Sequence, residues 1–581
     1  MGSSTVAALD SRLAHLASSG GRLRLLMAEG LEELARIGGH HDLGFATVEC
    51  YALERCGRSA RWVQSARALV RRLAMLPDVR AALMAGHIGF SLAQVLAGVA
   101  RPEDEEWWLL WAARTTVREM RRMAREFMAA GPVVAVEDEP HTMLTVTVDQ
   151  EDVWLFERVR MLGRHIAGPR MEDTLDAMLA EGTTTLLAAV ERDALVPFGD
   201  APDEEASQRQ WEQELARYRK EAEIEPEFAF HGRQQQVADS NIDAPPRWAG
   251  DAMHIDAQLR EVAAQLARRD LLLGEAANAF WQADGWRRLG YALEAQYAQE
   301  RLGMSASSVK AKRTLARRAN TLPAVKAAVN DGTLAYEVAR LVTEVSVSDT
   351  AVEWVSRARE RTVKHLREEV SVAQVLARLG VNTMKRPPSE ATMAEVAEIE
   401  RKVITGTEFQ HAESQITALA KSPGAGNAGT GGMVGKLDAC GRVTLRFRVP
   451  VSTRRYYRWL EQAFQRVPRD VGFFRYLCVK FIEVWQPRHP SSEAYASIYA
   501  RDLYRCTSPV CTRRDVTPHH LRFRSRGGDD GESNVTSLCV WCHLEGVHGG
   551  SLRVEPPASA MRWTLGREPH TIVDGRRRTA A

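Results

Sequence analysis

At 581 residues the chain is too long for a single hydrophobic core, and its apolar and charged fractions are those of an ordinary globular protein. The formal net charge of +2 is too small to indicate nucleic-acid binding by itself, although residues 487–581 carry arginine without lysine and a small excess of basic side chains. The chain has no apolar run of roughly 18 residues, and residues 1–16 lack the pattern of a secretory signal. We therefore expect a cytoplasmic protein without membrane contact.

The first half of the chain returns in the second half at a constant offset of 246 residues. The segment L-G-F-A at 43–46 becomes L-G-Y-A at 289–292. A strand-like segment follows each copy, at 141–149 and at 441–450, and each strand precedes two stretches of helical periodicity. We predict a mainly α-helical protein with small α+β parts, in which a helical repeat plus a strand-helix unit occurs twice.

Composition places the boundaries between these parts. Charged, proline-containing stretches indicate linkers, and glycine-rich stretches indicate flexible inserts. The predicted parts are a first module at 10–195, a polar linker at 196–255, a second module at 256–486 with a flexible insert at about 421–435, a C-terminal domain at 495–566 and a disordered tail at 574–581.

Each copy contains a helix, a glycine-containing turn and a second helix that opens with serine, as at Gly303 and Ser305. This order is typical of a helix-turn-helix. Such pairs also occur as plain packing units, so DNA contact and scaffold remain open alternatives. The faces that would meet DNA carry Ser307, Ser308, Lys310, Lys312 and Arg313 in the second copy, and Arg61, Trp62, Gln64 and Arg67 in the first.

Two further groups of residues are expected in the core. One is a helical stripe of tryptophan, and the other is a set of single cysteines in apolar surroundings. The groups are Trp107, Trp108 and Trp111, and Cys50, Cys56, Cys440 and Cys478.

The repeat with its trailing strand and helices resembles the DUF222 (13E12-repeat) domain. The resemblance covers residues 10–195 and 256–486, and residues 322–332 also resemble helical DNA-binding domains of the ParB partition-protein type. DUF222 domains commonly precede a C-terminal HNH nuclease in bacterial proteins. The usual arrangement has one such domain, so the second copy departs from it.

The C-terminal region contains two close pairs of cysteines, Cys506-x4-Cys511 and Cys539-x2-Cys542. Paired thiolates on two turns supply the four soft ligands of a tetrahedral zinc ion. In a cytosolic protein this pattern indicates a metal site more often than disulfides. We therefore predict a structural Zn²⁺ held by all four cysteines.

Between the cysteine pairs lies a predicted strand at 516–524, with His519 and His520 pointing to opposite sides. Asn534 lies in the return loop, and a helix predicted at 537–545 carries His543. Strand, strand and helix with His-His, Asn and His at these positions resemble the HNH nuclease motif, the ββα-metal fold.

The resemblance implies a metal-dependent DNA endonuclease that hydrolyses phosphodiester bonds. His520 is the expected general base, and Asn534 is expected to orient it. A catalytic Mg²⁺, Mn²⁺ or Zn²⁺ would be held by His519 and His543. His548 follows His543 by five residues, roughly 140° around an α-helix, so its place among the ligands stays open.

Arg522, Arg524 and Arg526 alternate along the predicted strand and could contact DNA phosphates, with a solvated basic edge as the alternative. An HNH endonuclease is the leading hypothesis. A non-catalytic, zinc-stapled DNA-binding or regulatory protein is the second, and an RNA nuclease the third. A single metal-centred site cuts one strand, so double-strand cleavage would need a homodimer or two encounters.

Overall fold

The computed structural model describes residues 3–129, 141–168, 171–189, 248–378, 380–382, 384–406, 442–465, 471–488 and 494–581. It is mainly helical, with three small antiparallel sheets, as the sequence predicts. No helix in these ranges is long and apolar enough to cross a membrane. The predicted insert and nearly all of the predicted linker lie outside the described residues.

Eight helices form the first copy of the repeat, and eight more form the second. Every helix of the second copy begins 246 residues after its counterpart, except the long first helix, which begins at Ala252, three residues later than that offset gives. The first set is α1 (Ser3–Arg36), α2 (Gly39–Asp42), α3 (Val48–Cys56), α4 (Ala60–Leu73), α5 (Pro77–Ala85), α6 (Phe90–Val99), α7 (Glu105–Arg114) and α8 (Val117–Ala129). After β1 (His141–Asp149), α9 (Gln150–Ile166) and α10 (Met171–Ala189), the second set is α11 (Ala252–Gln282), α12 (Gly285–Arg288), α13 (Glu294–Glu300), α14 (Ala306–Asn320), α15 (Pro323–Asn330), α16 (Tyr336–Val345), α17 (Ala351–Glu360) and α18 (Val363–Arg378).

The two copies pack through reciprocal contacts between equivalent residues. Tyr51 Oη donates to Asp256 Oδ1 at 3.0 Å, and Tyr297 Oη donates to Asp10 Oδ1 at 2.9 Å. Arg24 and Asp270, which are themselves equivalent positions, pair at 3.1 Å on the two long helices α1 and α11. The duplicated helices therefore resemble an isologous dimer joined into one chain.

The starts of α8 and α18 are held in the same reciprocal way. The backbone N–H of Val117 donates to Glu300 of the second copy at 2.8 Å, and that of Val363 donates to Glu54 of the first at 2.7 Å. Each carboxylate satisfies one of the unpaired N–H groups at a helix start. The same interaction is thus made twice, once in each direction between the copies.

The chain divides into two compact units that do not follow the order of the copies. The first unit contains both sets of eight helices, α19 (Glu390–Thr405) and residues 494–581. The second contains β1, α9 and α10 from the first copy with β2 (Arg442–Pro450), α20 (Val451–Phe464) and α21 (Phe473–Trp485) from the second. Each unit takes part of each copy, whereas the sequence suggested two modules in succession.

In the second unit, β1 and β2 form a two-stranded antiparallel sheet. The register places Leu144 opposite Phe447 and Thr145 opposite Arg446. The predicted alternation is confirmed, because Leu144 and Phe447 are buried. Phe156 of α9 packs edge-on against Phe447 at 5.7 Å, so the helices that follow the strands close this small core.

The C-terminal module begins with α22 (Ala496–Arg501). A two-stranded sheet of β3 (Val516–His520) and β4 (Val535–Cys539) precedes a π-helix at Cys542–His548. A four-stranded antiparallel sheet follows, built from β5 (Leu552–Glu555), β6 (Arg562–Leu565), β7 (Thr571–Asp574) and β8 (Arg577–Ala580). The ββα order is as predicted.

Three predicted boundaries in this module are wrong. The strand starting at Val516 ends at His520 rather than at Arg524, and residues 537–539 belong to β4 rather than to a helix. All five residues of β4 are buried, so pairing with β3 outweighs any helical preference there. The tail predicted at 574–581 contains β8, which pairs with β7, and Arg576 and Arg578 form ion pairs with Glu368 and Glu54 at 2.7 and 2.6 Å.

The module is attached to both copies of the helical repeat. Lys364 of α18 is buried, and its Nζ donates to the backbone oxygens of Cys506 and Ser508 at 2.5 and 3.0 Å. Gly44 of the first copy, with φ of +86°, lies against the backbone at Leu565 and Gly566, where a Cβ atom would clash. The candidate site is therefore fixed to the helical core.

Candidate functional site

Four buried cysteines meet at the base of the C-terminal module. Cys506 and Cys511 lie in the loop before β3, Cys539 ends β4, and Cys542 begins the π-helix. Their sulfur atoms all lie within 4.8 Å of one another, and all four residues are buried. The predicted ligands are therefore brought together.

The spacing of the sulfurs fits a metal ion better than a disulfide. Cys511 Sγ and Cys539 Sγ are 3.7 Å apart, far beyond an S–S bond of about 2.05 Å. A tetrahedron with Zn–S bonds of about 2.3 Å has edges of about 3.8 Å. Two backbone N–H groups point at the thiol sulfurs, from Cys542 to Cys539 Sγ at 3.4 Å and from Arg513 to Cys511 Sγ at 3.5 Å. The group can hold a tetrahedral ion such as zinc.

Three histidines form a second, separate cluster. The coordinating atoms of His519, His543 and His548 lie within 4.8 Å of one another. His519 is 1% exposed, and neither of its ring nitrogens has a hydrogen-bond partner among the described residues. A buried polar group without a partner is costly, and a metal ion would remove that cost.

The π-helix explains why His548 joins the cluster. In an α-helix residues five apart diverge, but the i→i+5 hydrogen bonds of a π-helix bring them onto one face. The rings of His543 and His548 are 5.0 Å apart, and Phe523 stacks on His548 at 5.2 Å and 10°. His548, whose place among the ligands the sequence left open, therefore belongs to the same cluster as His519 and His543.

Burial prepares two of these histidines for coordination. Desolvation lowers the pKa of His519 to about 3, and it also lowers the pKa of His543. Both rings are therefore neutral near pH 7, which is the form that binds metal. Thr517 Oγ1 lies 3.2 Å from His543 Nδ1, so the opposite nitrogen, Nε2, is left for an ion.

His520 points away from this cluster, as expected of a strand residue adjacent to His519. Its Nε2 lies 2.6 Å from Asp530 Oδ1, and Arg524 Nη2 binds the same oxygen at 2.5 Å. Hydrogen bonds from Arg524 and His520 lower the pKa of Asp530. Tyr495 Oη accepts from Arg524 Nη2 at 3.0 Å.

Sequence reasoning missed Asp530, which contacts His520, and Tyr495, which contacts Arg524. Asp530 lies in the G-G-D-D-G segment between His520 and Asn534. Tyr495 lies 25 residues before His520, with no periodicity that connects them. An acidic residue in the turn between the His-His pair and Asn534 was the one feature of the sequence that could have indicated Asp530.

Asn534 ties the connecting loop to the end of β3. Its Oδ1 accepts from the backbone N–H of Arg522 at 2.7 Å. Its Nδ2 donates to the backbone oxygens of Arg522 at 3.0 Å and Asp529 at 2.7 Å. All three bonds hold the segment between His520 and Asp530, so this amide positions the loop that carries both.

The three arginines predicted on one strand face lie beyond the end of β3. Arg524–Arg526 forms a 3-10 turn, so the strand alternation does not apply. Arg522 Nε donates to the backbone oxygen of Arg526 at 2.8 Å, and Arg526 lies over the ring of Phe523. Arg524 Nε lies 3.3 Å from His520 Nε2, and contact of the three arginines with DNA stays a prediction.

The predicted helix-turn-helix faces need one correction. Lys312 is buried, and its Nζ pairs with Asp270 at 3.0 Å, so it cannot contact DNA. Arg313 is half-buried over the Trp281 ring, at 4.8 Å from the ring centroid, and Arg67 pairs with Glu32 at 2.6 Å. Three exposed basic residues remain on each helix, Arg61, Arg71 and Arg72 on α4 and Lys310, Arg317 and Arg318 on α14, so DNA contact by these helices stays a prediction.

The expected core residues also differ in part. Cys56 and Cys478 are buried, Cys50 is only partly buried, and Cys440 lies outside the described residues. Trp108 is in the core, but Trp107 and Trp111 are 45% and 40% exposed, so the tryptophan stripe was wrong for two of its three members.

Comparison of the chain with protein-family models, curated proteins and solved structures gave no match. The function must therefore be argued from the geometry of the two clusters and the residues beside them.

Proposed function

We propose that this chain is a metal-dependent DNA endonuclease of the HNH type. The observation that carries the proposal is the separation of two clusters within one module. Four buried thiols, Cys506, Cys511, Cys539 and Cys542, can hold the fold together, and three histidines form a second cluster beside a fourth histidine. A purely structural zinc module would need only the thiols.

Different residues of the site would have different roles in phosphodiester hydrolysis. His519, His543 and His548 would hold a divalent ion such as Mg²⁺, Mn²⁺ or Zn²⁺. When bound, that ion supplies positive charge for the scissile phosphate and the leaving oxygen. His520 lies on the other side of β3, and its imidazole would accept a proton from the attacking water.

Three further residues prepare His520 for this role. Asn534 fixes the loop on which its neighbours lie, so it is a positioning residue. Asp530 contacts His520 through Nε2, so the carboxylate would have to release that nitrogen before it could accept a proton from the attacking water. Arg524 neutralises Asp530 and can turn to a phosphate, since its side chain is 61% exposed.

Plasmid nicking tests the proposal. Wild type is incubated with supercoiled DNA and Mg²⁺ or Mn²⁺, with and without chelator. His520→Ala should lower the nicking rate by roughly 10²–10⁴-fold, the usual contribution of a general base. His254→Ala is the matched control, because His254 is exposed on α11 and far along the chain from the site.

Equal nicking by wild type and His520→Ala would refute the mechanism. Absence of nicking in both, with zinc still bound, would favour the alternative of a non-catalytic, zinc-stapled DNA-binding or regulatory protein. Competition with RNA of the same sequence distinguishes a DNA nuclease from an RNA nuclease.

A further inference from the structure

The outer side of α7 carries an exposed aromatic stripe. Trp107, Leu110, Trp111 and Arg114 follow the spacing i, i+3, i+4 and i+7, so they share one helix face. All four are exposed, while Trp108 and Ala112 on the opposite side are buried in the core. The rings of Trp107 and Trp111 are 5.9 Å apart and tilted by 56°, so each offers its own face.

The next helix, α8, carries an exposed basic stripe with the same spacing. Arg118, Arg121, Arg122 and Arg125 stand at i, i+3, i+4 and i+7, and all four are exposed. The other side of α8 packs into the core through three buried residues, Val117, Met120 and Ala124. Together these residues form what we call the α7–α8 face, which comprises Trp107, Leu110, Trp111, Arg114, Arg118, Arg121, Arg122 and Arg125.

The positive charge of this face is mostly unpaired. Within the described residues no carboxylate lies within 4.0 Å of Arg114, Arg118 or Arg121. The nearest acidic group to Arg122 is Glu126 at 3.8 Å, with both side chains about two-thirds exposed. Glu119 is occupied by Thr116 at the start of α8.

The second copy shows that the repeat fold does not require this surface. The positions equivalent to Trp107, Leu110, Trp111 and Arg114 are Glu353, Ser356, Arg357 and Glu360. The positions equivalent to the four arginines of α8 are Lys364, Arg367, Glu368 and Ser371. There the helix is covered by the C-terminal module, with Lys364 and Glu368 bound to it. In the first copy α8 is basic and the preceding α7 is aromatic, and in the described part of the chain these side chains are exposed.

We propose that the α7–α8 face binds a single-stranded segment of nucleic acid, with phosphates on the arginines and unpaired bases stacked on Trp107 and Trp111. Accessible aromatic rings beside a row of unpaired guanidinium groups are the features that non-sequence-specific single-strand binding needs. This inference rests on the proposed nuclease function and deepens it. The substrate class would be DNA that contains an unpaired region, such as a gap, a flap or a loop.

A protein partner is the less favoured occupant, because it would have to bring carboxylates to balance five arginines. A single strand needs no special arrangement of acidic groups, since every nucleotide carries one phosphate for the arginines and one base for the aromatic rings.

Equilibrium binding of a labelled 12-nucleotide oligothymidine tests the inference. Fluorescence anisotropy is measured with the full-length His520→Ala chain, so that the probe is not cut. Trp107→Ala with Trp111→Ala should raise Kd about tenfold or more, because stacking on both rings is lost. The matched control, Trp107→Phe with Trp111→Phe, keeps two rings and should stay within about threefold of the parent.

The arginines are tested by salt dependence. Replacing Arg118, Arg121 and Arg122 by Ala should reduce the slope of log Kd against log salt by about 2, since each phosphate contact on a single strand contributes about 0.7. The same three positions changed to Lys keep the charge and should keep the slope. Circular dichroism of each variant checks that the helices are intact.

Unchanged oligothymidine binding in both Ala variants would overturn the inference. So would a change of oligomeric state in the tryptophan variant by sedimentation, because the face would then be an interface between copies of the chain. These outcomes leave the proposed function intact if plasmid nicking still depends on His520. Conversely, loss of binding in the Ala variants together with nicking that does not need His520 would refute the mechanism and leave the α7–α8 face standing.

Discussion

The two copies of the helical repeat share their helices and reciprocal core contacts, yet they differ at the surface. Arg118 and Lys364 occupy equivalent positions at the start of α8 and α18. Lys364 is buried against the C-terminal module, while Arg118 is exposed. The comparison shows that a duplicated scaffold can keep one interior and give each copy a separate surface.

The interior is constrained because each copy supplies hydrogen-bond partners to buried residues of the other. Tyr51 needs Asp256 and Tyr297 needs Asp10, so a change on one side leaves a buried group on the other without its partner. Surface positions are not constrained by a buried hydrogen-bond partner in this way. Four sets of variants test this difference between the copies.

The largest effect is expected from loss of the metal in the module that covers α18 of the second copy. Cys539→Ser removes one of four clustered thiols, and structural zinc supplies roughly 10–16 kcal/mol of apparent folding free energy in small zinc modules. We expect loss of one zinc per chain and rapid proteolysis within residues 494–581, while the helical signal of the repeats persists.

Metal analysis and limited proteolysis measure this outcome. Cys56→Ser is the control, because Cys56 is buried outside both clusters. One tightly bound zinc per chain in both proteins would refute the ligand assignment.

A smaller effect is expected at the equivalent pair Lys364 and Arg118. Lys364→Met leaves the backbone oxygens of Cys506 and Ser508 without their charged donor, at a cost of about 3 kcal/mol. Arg118→Met should change stability by less than about 0.5 kcal/mol, because the side chain is exposed. Urea-induced zinc release reports the stability of the module, and equal midpoints for the two variants would contradict the attachment through α18.

The pair Lys312 and Ala66 provides a pH-dependent contrast. Burial lowers the pKa of Lys312 to about 8 from an ordinary value near 10.5, whereas the first copy has no charge at Ala66. The unfolded chain therefore binds more protons between pH 8 and 10.5, and stability rises with pH across that window.

Lys312→Met should lack this contribution. The stability of wild type relative to the variant should increase by about 1–2 kcal/mol from about pH 7 to about pH 9.5, as measured by urea denaturation. A difference that stays constant across these pH values would show that Lys312 titrates normally in the folded protein.

The smallest effects are expected at the reciprocal tyrosines. Tyr51→Phe and Tyr297→Phe should each cost about 1 kcal/mol, the usual value of one buried hydrogen bond. Because the two bonds share no partner, the double variant should show the sum within about 0.5 kcal/mol. Thermal or urea unfolding measures these losses of stability. Strongly different losses in the two single variants would show that the two copies do not stabilise the core alike.

The duplication, the strands at 141–149 and 441–450 and the order of the C-terminal elements can be read from the sequence alone. A constant offset of 246 residues is visible without coordinates, and strand alternation at 141–149 is a local pattern. The four cysteines and the pair His519 and His543 were also identifiable as candidate ligands, because the close spacing of the cysteines is itself a local property.

The tertiary structure decided which copy pairs with which and which residues are left at the surface. The β1–β2 ladder joins residues from the two halves of the chain, and no local pattern encodes such a pairing. His548 enters its cluster only because the backbone adopts a π-helix, which helical periodicity cannot foresee. Trp107 and Trp111 look like core residues in the sequence, and only the packing of α7 through Trp108 leaves them exposed, because burial depends on what covers a helix face.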